Sequence, residues 1–180
     1  IRKDTLYCDA SQTKKRKDCV IVLNLILECL LKWFAPIFVF TTEEIYGLVN
    51  KNQNSIHETE FLKIPEKWKN DKLDEKWKSL FKIKQEVNIA IEQKRTAKEI
   101  GSSLDVEIEI TTNKKNFDLM EKLDLAEYFI TSKAKKVQNK NNEEENKILV
   151  KKALGKKCPR CWKILEKNCE RCEKAAQVTA

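Results

Sequence analysis

The spacing of hydrophobic positions changes along this chain, and each change marks a different kind of element. From residue 20 to residue 40 almost every position is apolar. The exceptions Asn24, Glu28 and Lys32 recur every four residues, which draws one narrow polar stripe along a helix. Ser11 and Thr13 are candidate N-caps and Pro36 interrupts the run, so a helix over 14–35 is predicted. A charged stripe is costly in lipid and ordinary in a bundle, so the pattern reads as a core helix buried on most sides and not as a membrane span. Thr41 and Glu44 have capping-box spacing, which predicts a second helix over 42–49. Residues 50–72 are polar and broken by Pro65, with Phe61, Leu62, Ile64 and Trp68 as sparse anchors of an extended connection.

Helical spacing returns at Leu73, Trp77, Leu80, Ile83, Val87, Ala90 and Ala97, predicting a helix over 73–100 that Gly101 closes in a left-handed cap. The period then drops to two. Leu104, Val106, Ile108 and Ile110 alternate with Asp105, Glu107 and Glu109, the mark of a half-buried strand. A short helix over 117–123 and strands over 127–132 and 147–153 complete the pattern, with a polar loop at 139–146. The fold class that follows is mainly α: a helical bundle at 1–101, a small α+β unit at 102–155, and a tail at 156–180. That tail is too short and too charged to fold on burial alone.

Composition supports this picture. Three glycines and three prolines in 180 residues argue against a turn-rich all-β protein. The net charge of +8 is unevenly placed. Residues 41–100 balance twelve basic against eleven acidic groups, a solvated surface, whereas residues 151–180 carry nine against three. Concentrated positive charge attracts polyphosphate backbones. Lys14, Lys15, Arg16 and Lys17 form a second basic cluster, which suits either phosphate contact or a solvated helix start. The first ten residues show no secretory signal, and an opening Ile1-Arg-Lys-Asp4 without Met reads as a cut inside something longer.

Of seven cysteines, four form two CxxC pairs, Cys158 with Cys161 and Cys169 with Cys172. Such pairs suit thiolates that hold metal in a reducing compartment. Four thiolates make a closed tetrahedral zinc site, structural and not catalytic. An iron–sulfur cluster is the rival, disfavoured by the regular pairing. Cys8, Cys19 and Cys29 stand apart and read as small buried hydrophobes. Around the cluster lie Arg160, Trp162, Arg171, Lys156, Lys157 and Lys163. An indole beside arginines offers a base-stacking face next to phosphate-binding charge, and so nucleic acid; alternatively Trp162 simply caps the small zinc fold. With His57 the sole histidine and no glycine-rich phosphate loop, no catalytic residue can be assigned.

Leu6-Tyr-Cys-Asp9, Leu31-Lys-Trp-Phe-Ala-Pro-Ile37 and Phe40-Thr-Thr-Glu-Glu-Ile45 resemble the anticodon-binding helical domain of class I synthetases for branched aliphatic amino acids. Ser55-Ile-His57, Lys98-Glu-Ile-Gly-Ser-Ser-Leu104 and Cys158-Pro-Arg-Cys-Trp162 with its closing Cys169/Cys172 pair resemble the isoleucyl-tRNA synthetases in particular. The seven-residue gap between the knuckles is shorter than in many of that family. The resemblance implies a cytoplasmic, monomeric parent enzyme that activates isoleucine with ATP and Mg and esterifies it to tRNA. The catalytic HIGH-like and KMSKS-like signatures are not in these 180 residues, nor is an editing domain, so this chain alone is expected to be inactive. What the resemblance leaves to it is tRNA(Ile) recognition: the bundle and the zinc tail grip the anticodon stem-loop, with Arg160 and Trp162 near the anticodon. Other readings are the same region of a valyl-type enzyme, a stand-alone RNA-binding module, and a zinc-stabilised protein-interaction module.

Overall fold

A computed structural model describes residues 3–51, 54–139 and 145–177 of the chain. The fold is mainly helical, with a small sheet, and divides by contacts into two compact units. One runs to Lys69 and resumes at Arg171; the other runs from Asn70 to Glu170.

The first unit holds α1 (Lys3–Cys8), α2 (Lys14–Phe34) and α3 (Val39–Val49), with a 3-10 turn at Ile56–Glu58. Its core is Leu31, Ala35, Tyr46 and Ile56, with Leu27 and Ile45 packed against them. Helix α2 has the expected span but not the expected burial. Leu31 is its buried residue, while Ile21, Val22, Ile26 and Trp33 are exposed. Among the described residues, the elements that chiefly pack on it are α1, α3 and the 3-10 turn, too little to cover both sides of a 21-residue helix. No helix among the described residues is long and apolar enough to cross a membrane.

The cap signals also differ from expectation. Thr13 occupies the N-cap of α2, yet its hydroxyl donates to the Ala10 carbonyl at 2.8 Å and caps nothing. Helix α3 starts at Val39, earlier than the Thr41–Glu44 spacing implies, so Thr42 lies within it and donates to the Phe38 carbonyl at 2.9 Å. The neighbouring Glu43 carboxylate accepts instead from Ser55 Oγ at 2.8 Å and from the Ile56 amide at 2.9 Å, which pins the following connection to α3.

The second unit begins with α4 (Asp71–Thr96), capped by Asn70, whose side chain accepts from the Leu73 amide at 3.0 Å. Lys98, not Gly101, supplies the left-handed residue at its end, with φ 57°. The Lys98 and Glu99 amides donate to the carbonyls of Arg95 and Lys94 at 3.0 and 3.1 Å, the paired bonds of a Schellman ending. The sheet follows, with β1 (Val106–Thr112), α5 (Lys114–Leu119), α6 (Leu125–Tyr128), β2 (Lys133–Gln138) and β3 (Lys147–Lys152). Strand β1 lies in the middle, parallel to β2 and antiparallel to β3. Its alternation turns Val106, Ile108 and Ile110 inward onto Leu80, Ile83, Val87 and Ile91 of α4, with Met120 and Phe129 completing the core. This shared core is why contacts group α4 with the sheet, across the boundary drawn at residue 101 from pattern alone.

Residues 127–132 are not a strand. Asp124 caps α6 by accepting from the Glu127 amide at 3.0 Å, and the helix closes in a second Schellman ending at Ile130, φ 58°. The chain becomes extended only at Lys133. The short helix expected at 117–123 starts three residues earlier, where Asn113 accepts from the Asn116 amide at 2.9 Å. Most of the loop expected at 139–146 lies outside the described residues.

Candidate metal centre and nucleic-acid interface

The tail is built as a hairpin followed by a helix. Strand β4 (Lys156–Lys157) pairs antiparallel with β5 (Ile164–Leu165), and the first CxxC forms the loop between them. Gly155 makes this approach possible: at φ 128°, any Cβ there would stand 2.2 Å from the Leu165 carbonyl oxygen. The Cys158 amide donates to the Lys163 carbonyl and the Trp162 amide to the Cys158 carbonyl, both at 2.9 Å. Ser132 anchors the hairpin to the sheet unit. Its hydroxyl donates to the Leu104 carbonyl and accepts from the Ile164 amide at 2.6 Å. The second CxxC opens α7 (Glu170–Gln177), with Cys169 just before it and Cys172 in its first turn, where helix amide groups favour a thiolate.

The sulfurs of Cys158, Cys161, Cys169 and Cys172 all lie within 4.8 Å of one another. Cys161 and Cys169 are 3.8 Å apart, Sγ to Sγ. Sulfurs bound to tetrahedral zinc at about 2.3 Å are separated along each edge by about 3.8 Å, so the geometry fits the ion. A disulfide requires about 2.05 Å, and none of the four cysteines is disulfide-bonded. Four soft donors with no carboxylate or imidazole among them suit zinc and leave no open position for a substrate. Of the three remaining cysteines, Cys8 is buried and Cys19 and Cys29 are half-buried.

Trp162 follows the second sulfur directly. Its backbone is left-handed, φ 64°, and its side chain is 57% exposed. A non-glycine residue in that region costs about 1–2 kcal/mol, so a large aromatic here is an expensive choice for a surface position. Arg160, Lys156 and Lys157 are exposed and Lys163 half-exposed, which puts four cations on the same hairpin as the indole. Lys157 Nζ lies 3.7 Å from Asp105.

Arg171 is placed differently from the other cations named in the sequence. Its Nη1 donates to the Asp4 carboxylate at 3.0 Å and its Nε to Asp9. Burial works to lower the guanidinium pKa, but the hydrogen bonds to Asp9 and Asp4 and their charges outweigh it, and the net shift is upward. Its charge is thus balanced within the protein. No local spacing signals this contact, because 162 residues separate Arg171 from Asp9. In the 14–17 cluster, Arg16 donates to the Asp9 carbonyl at 3.1 Å. His57 Nε2 sits 3.3 Å from the Val39 carbonyl, a structural contact.

Residues 1–110 match the family described as the anticodon-binding domain of tRNA ligase. An isoleucine–tRNA ligase of Pelagibacter ubique is 50% identical over 171 residues, spanning 95% of this chain and 19% of that protein. That of Agrobacterium fabrum is 38% identical over 175 residues, covering 91% of this chain and 18% of its own length. A third, from a Thermoanaerobacter strain, is 33% identical over 180 residues, covering 92% and 19%. The chain therefore spans about a fifth of the length of these relatives.

Proposed function

Because the chain belongs to the family of tRNA-ligase anticodon-binding domains, we propose that it is the part of an isoleucyl-tRNA synthetase that grips the anticodon stem-loop of tRNA(Ile). The complete protein would join isoleucine to that tRNA with ATP and Mg, as a cytoplasmic monomer. The relatives' shared name and their match along more than nine tenths of this chain support that reading. The 180 residues supply recognition and no bond-making group. Zinc, when bound to Cys158, Cys161, Cys169 and Cys172, supplies only structural order to the tail.

The observation that carries the RNA reading is the exposed indole of Trp162 on a strained backbone between two metal-ligand pairs. A residue selected merely to cap the small fold would be buried against it, and glycine would satisfy this backbone at lower cost. An aromatic plane held rigidly in water suits an unstacked base of a single-stranded loop. Arg160, Lys156, Lys157 and Lys163 then meet the flanking phosphates, where each cation releases counterions and makes binding salt-dependent.

Trp162→Gly separates the two roles of the tryptophan. It relieves the left-handed strain, so zinc content and melting temperature should hold or rise. Loss of a base-stacking platform should weaken anticodon stem-loop binding by ~1–3 kcal/mol, roughly 5- to 150-fold, at fixed salt. Titration of the stem-loop by fluorescence anisotropy measures it. An unchanged affinity would remove Trp162 from the interface, and lost zinc with unchanged affinity would make it a cap.

A further inference from the structure

We propose that Asp9, assisted by Asp4, is a positioning residue for the metal centre, acting through Arg171 to set the second cysteine knuckle before the metal arrives. Arg171 stands between the ligands Cys169 and Cys172, in the first turn of α7. Its planar guanidinium is held along two directions at once, Nε by Asp9 and Nη1 by Asp4 at 3.0 Å. Two bonds to one rigid fork fix the orientation of the side chain as well as its distance. Through it they fix the start of α7, where Cys172 must face the other three sulfurs.

Burial gives the pairing its leverage. The Asp9 side chain is 9% exposed and that of Arg171 28%. Thr5, Cys8, Cys172 and Ala175 are buried as well. Asp9 Oδ2 and Arg171 Nη2 are buried and have no hydrogen-bond partner among the described residues. The two groups are thus committed to each other at this spot, with Asp4 as the second partner of the guanidinium. Removing Asp9 leaves the half-buried guanidinium with Asp4 alone, and removing Arg171 leaves the buried Asp9 carboxylate without its cation, either one a larger loss than breaking a surface pair. Arg16 adds a second tie to the same residue through the Asp9 carbonyl at 3.1 Å, so both the main chain and the side chain of Asp9 are anchored.

This inference rests on the four-thiolate reading and is independent of the RNA contact. Uptake of one metal by the unaltered chain is the control that distinguishes the two. The test measures zinc affinity by competition with a chromophoric chelator for the unaltered chain, Asp9→Asn, Arg171→Met and the double variant. Partners that orient metal ligands typically change affinity 10- to 100-fold, and Asp9→Asn and Arg171→Met are each expected to lower it about tenfold or more. The double variant should be no weaker than Arg171→Met, because both remove one clasp. At saturating Co(II), each variant should keep the absorption of a four-thiolate tetrahedral site, which separates weakened positioning from a lost ligand. Should Asp9→Asn fail to fold, Asp4→Asn, at the more exposed end of the clasp, takes its place and is expected to give a smaller loss. Unchanged zinc affinity in the folded variants, or losses that simply add in the double variant, would overturn the proposal.

Discussion

Cys161→Ser is expected to release the metal and unfold residues 156–169 while leaving the sheet unit folded. The serine hydroxyl does not ionise near neutral pH, so the site is left with three thiolates and a poor fourth donor. Structural zinc sites of this type draw roughly 10–16 kcal/mol of apparent binding free energy, which here is the folding free energy of the tail. Beyond the Ser132 and Arg171 contacts it has little burial to draw on: from Lys156 to Ala176, the buried residues are Cys172 and Ala175. The sheet unit keeps its own core of Leu80, Ile83, Val87, Ile91, Val106, Ile108 and Ile110, which includes none of the four clustered cysteines. Elemental analysis should give far less than one zinc per chain, and limited proteolysis should cut within the tail and spare β1–β3. Full zinc content together with a protected tail would contradict this.

Phe129→Ala acts on the other half of the molecule and should be nearly as severe. Phe129 is 1% exposed and is the largest fully buried side chain among the described residues. It closes the core beneath β1 and meets Tyr128 edge-on, ring centroids 5.1 Å apart. It also forms the C-cap of α6, where its neighbour Ile130 is held at φ 58°, so the cavity opens beside a backbone already under strain. Truncating a phenylalanine in such a place costs about 3–5 kcal/mol. Urea unfolding of the sheet unit should show a midpoint lowered by that free energy divided by the slope, with the slope little changed, while zinc content matches that of the unaltered chain. A loss under about 1 kcal/mol would mean that the core collapses around the gap or that Phe129 does not seal it.

Most of this fold could be read along the chain wherever one local rule decided the outcome. The alternation at 104–110 predicted β1 because one face of that strand is buried and the other is not, so burial and sequence carry the same period. The stripe Leu80, Ile83, Val87 marked α4 for the same reason. The cysteine cluster was legible because CxxC is itself a local geometry, and the structure brings together the four sulfurs that the spacing named.

The failures have local competitors as their cause. Residues 127–132 looked extended because Tyr128, Phe129 and Ile130 are strand formers, but Asp124 nucleates a helical turn and Phe129 is needed in the core. Lys98 took the left-handed position that Gly101 was expected to fill, because the paired Schellman bonds close three residues before the glycine is reached. The Thr41–Glu44 box does not form because α3 already begins at Val39, which puts both residues inside the helix. Helix α2 was read correctly in span and wrongly in burial: apolar content reports what a surface can bury, not what lies there to cover it. Arg171 shows the deepest limit, since a partner 162 residues away leaves no trace in local spacing.

The proposed RNA contact depends on a metal-ordered hairpin that offers its indole to a base, and metal removal addresses both parts together. Anticodon stem-loop binding should be measured at one salt concentration on the zinc-loaded chain, after chelation, and after zinc is restored. The expected result is an affinity lowered by roughly tenfold or more on chelation, since the stacking platform is lost with the metal, and recovered in full with zinc. Equal affinity with and without the metal would contradict it.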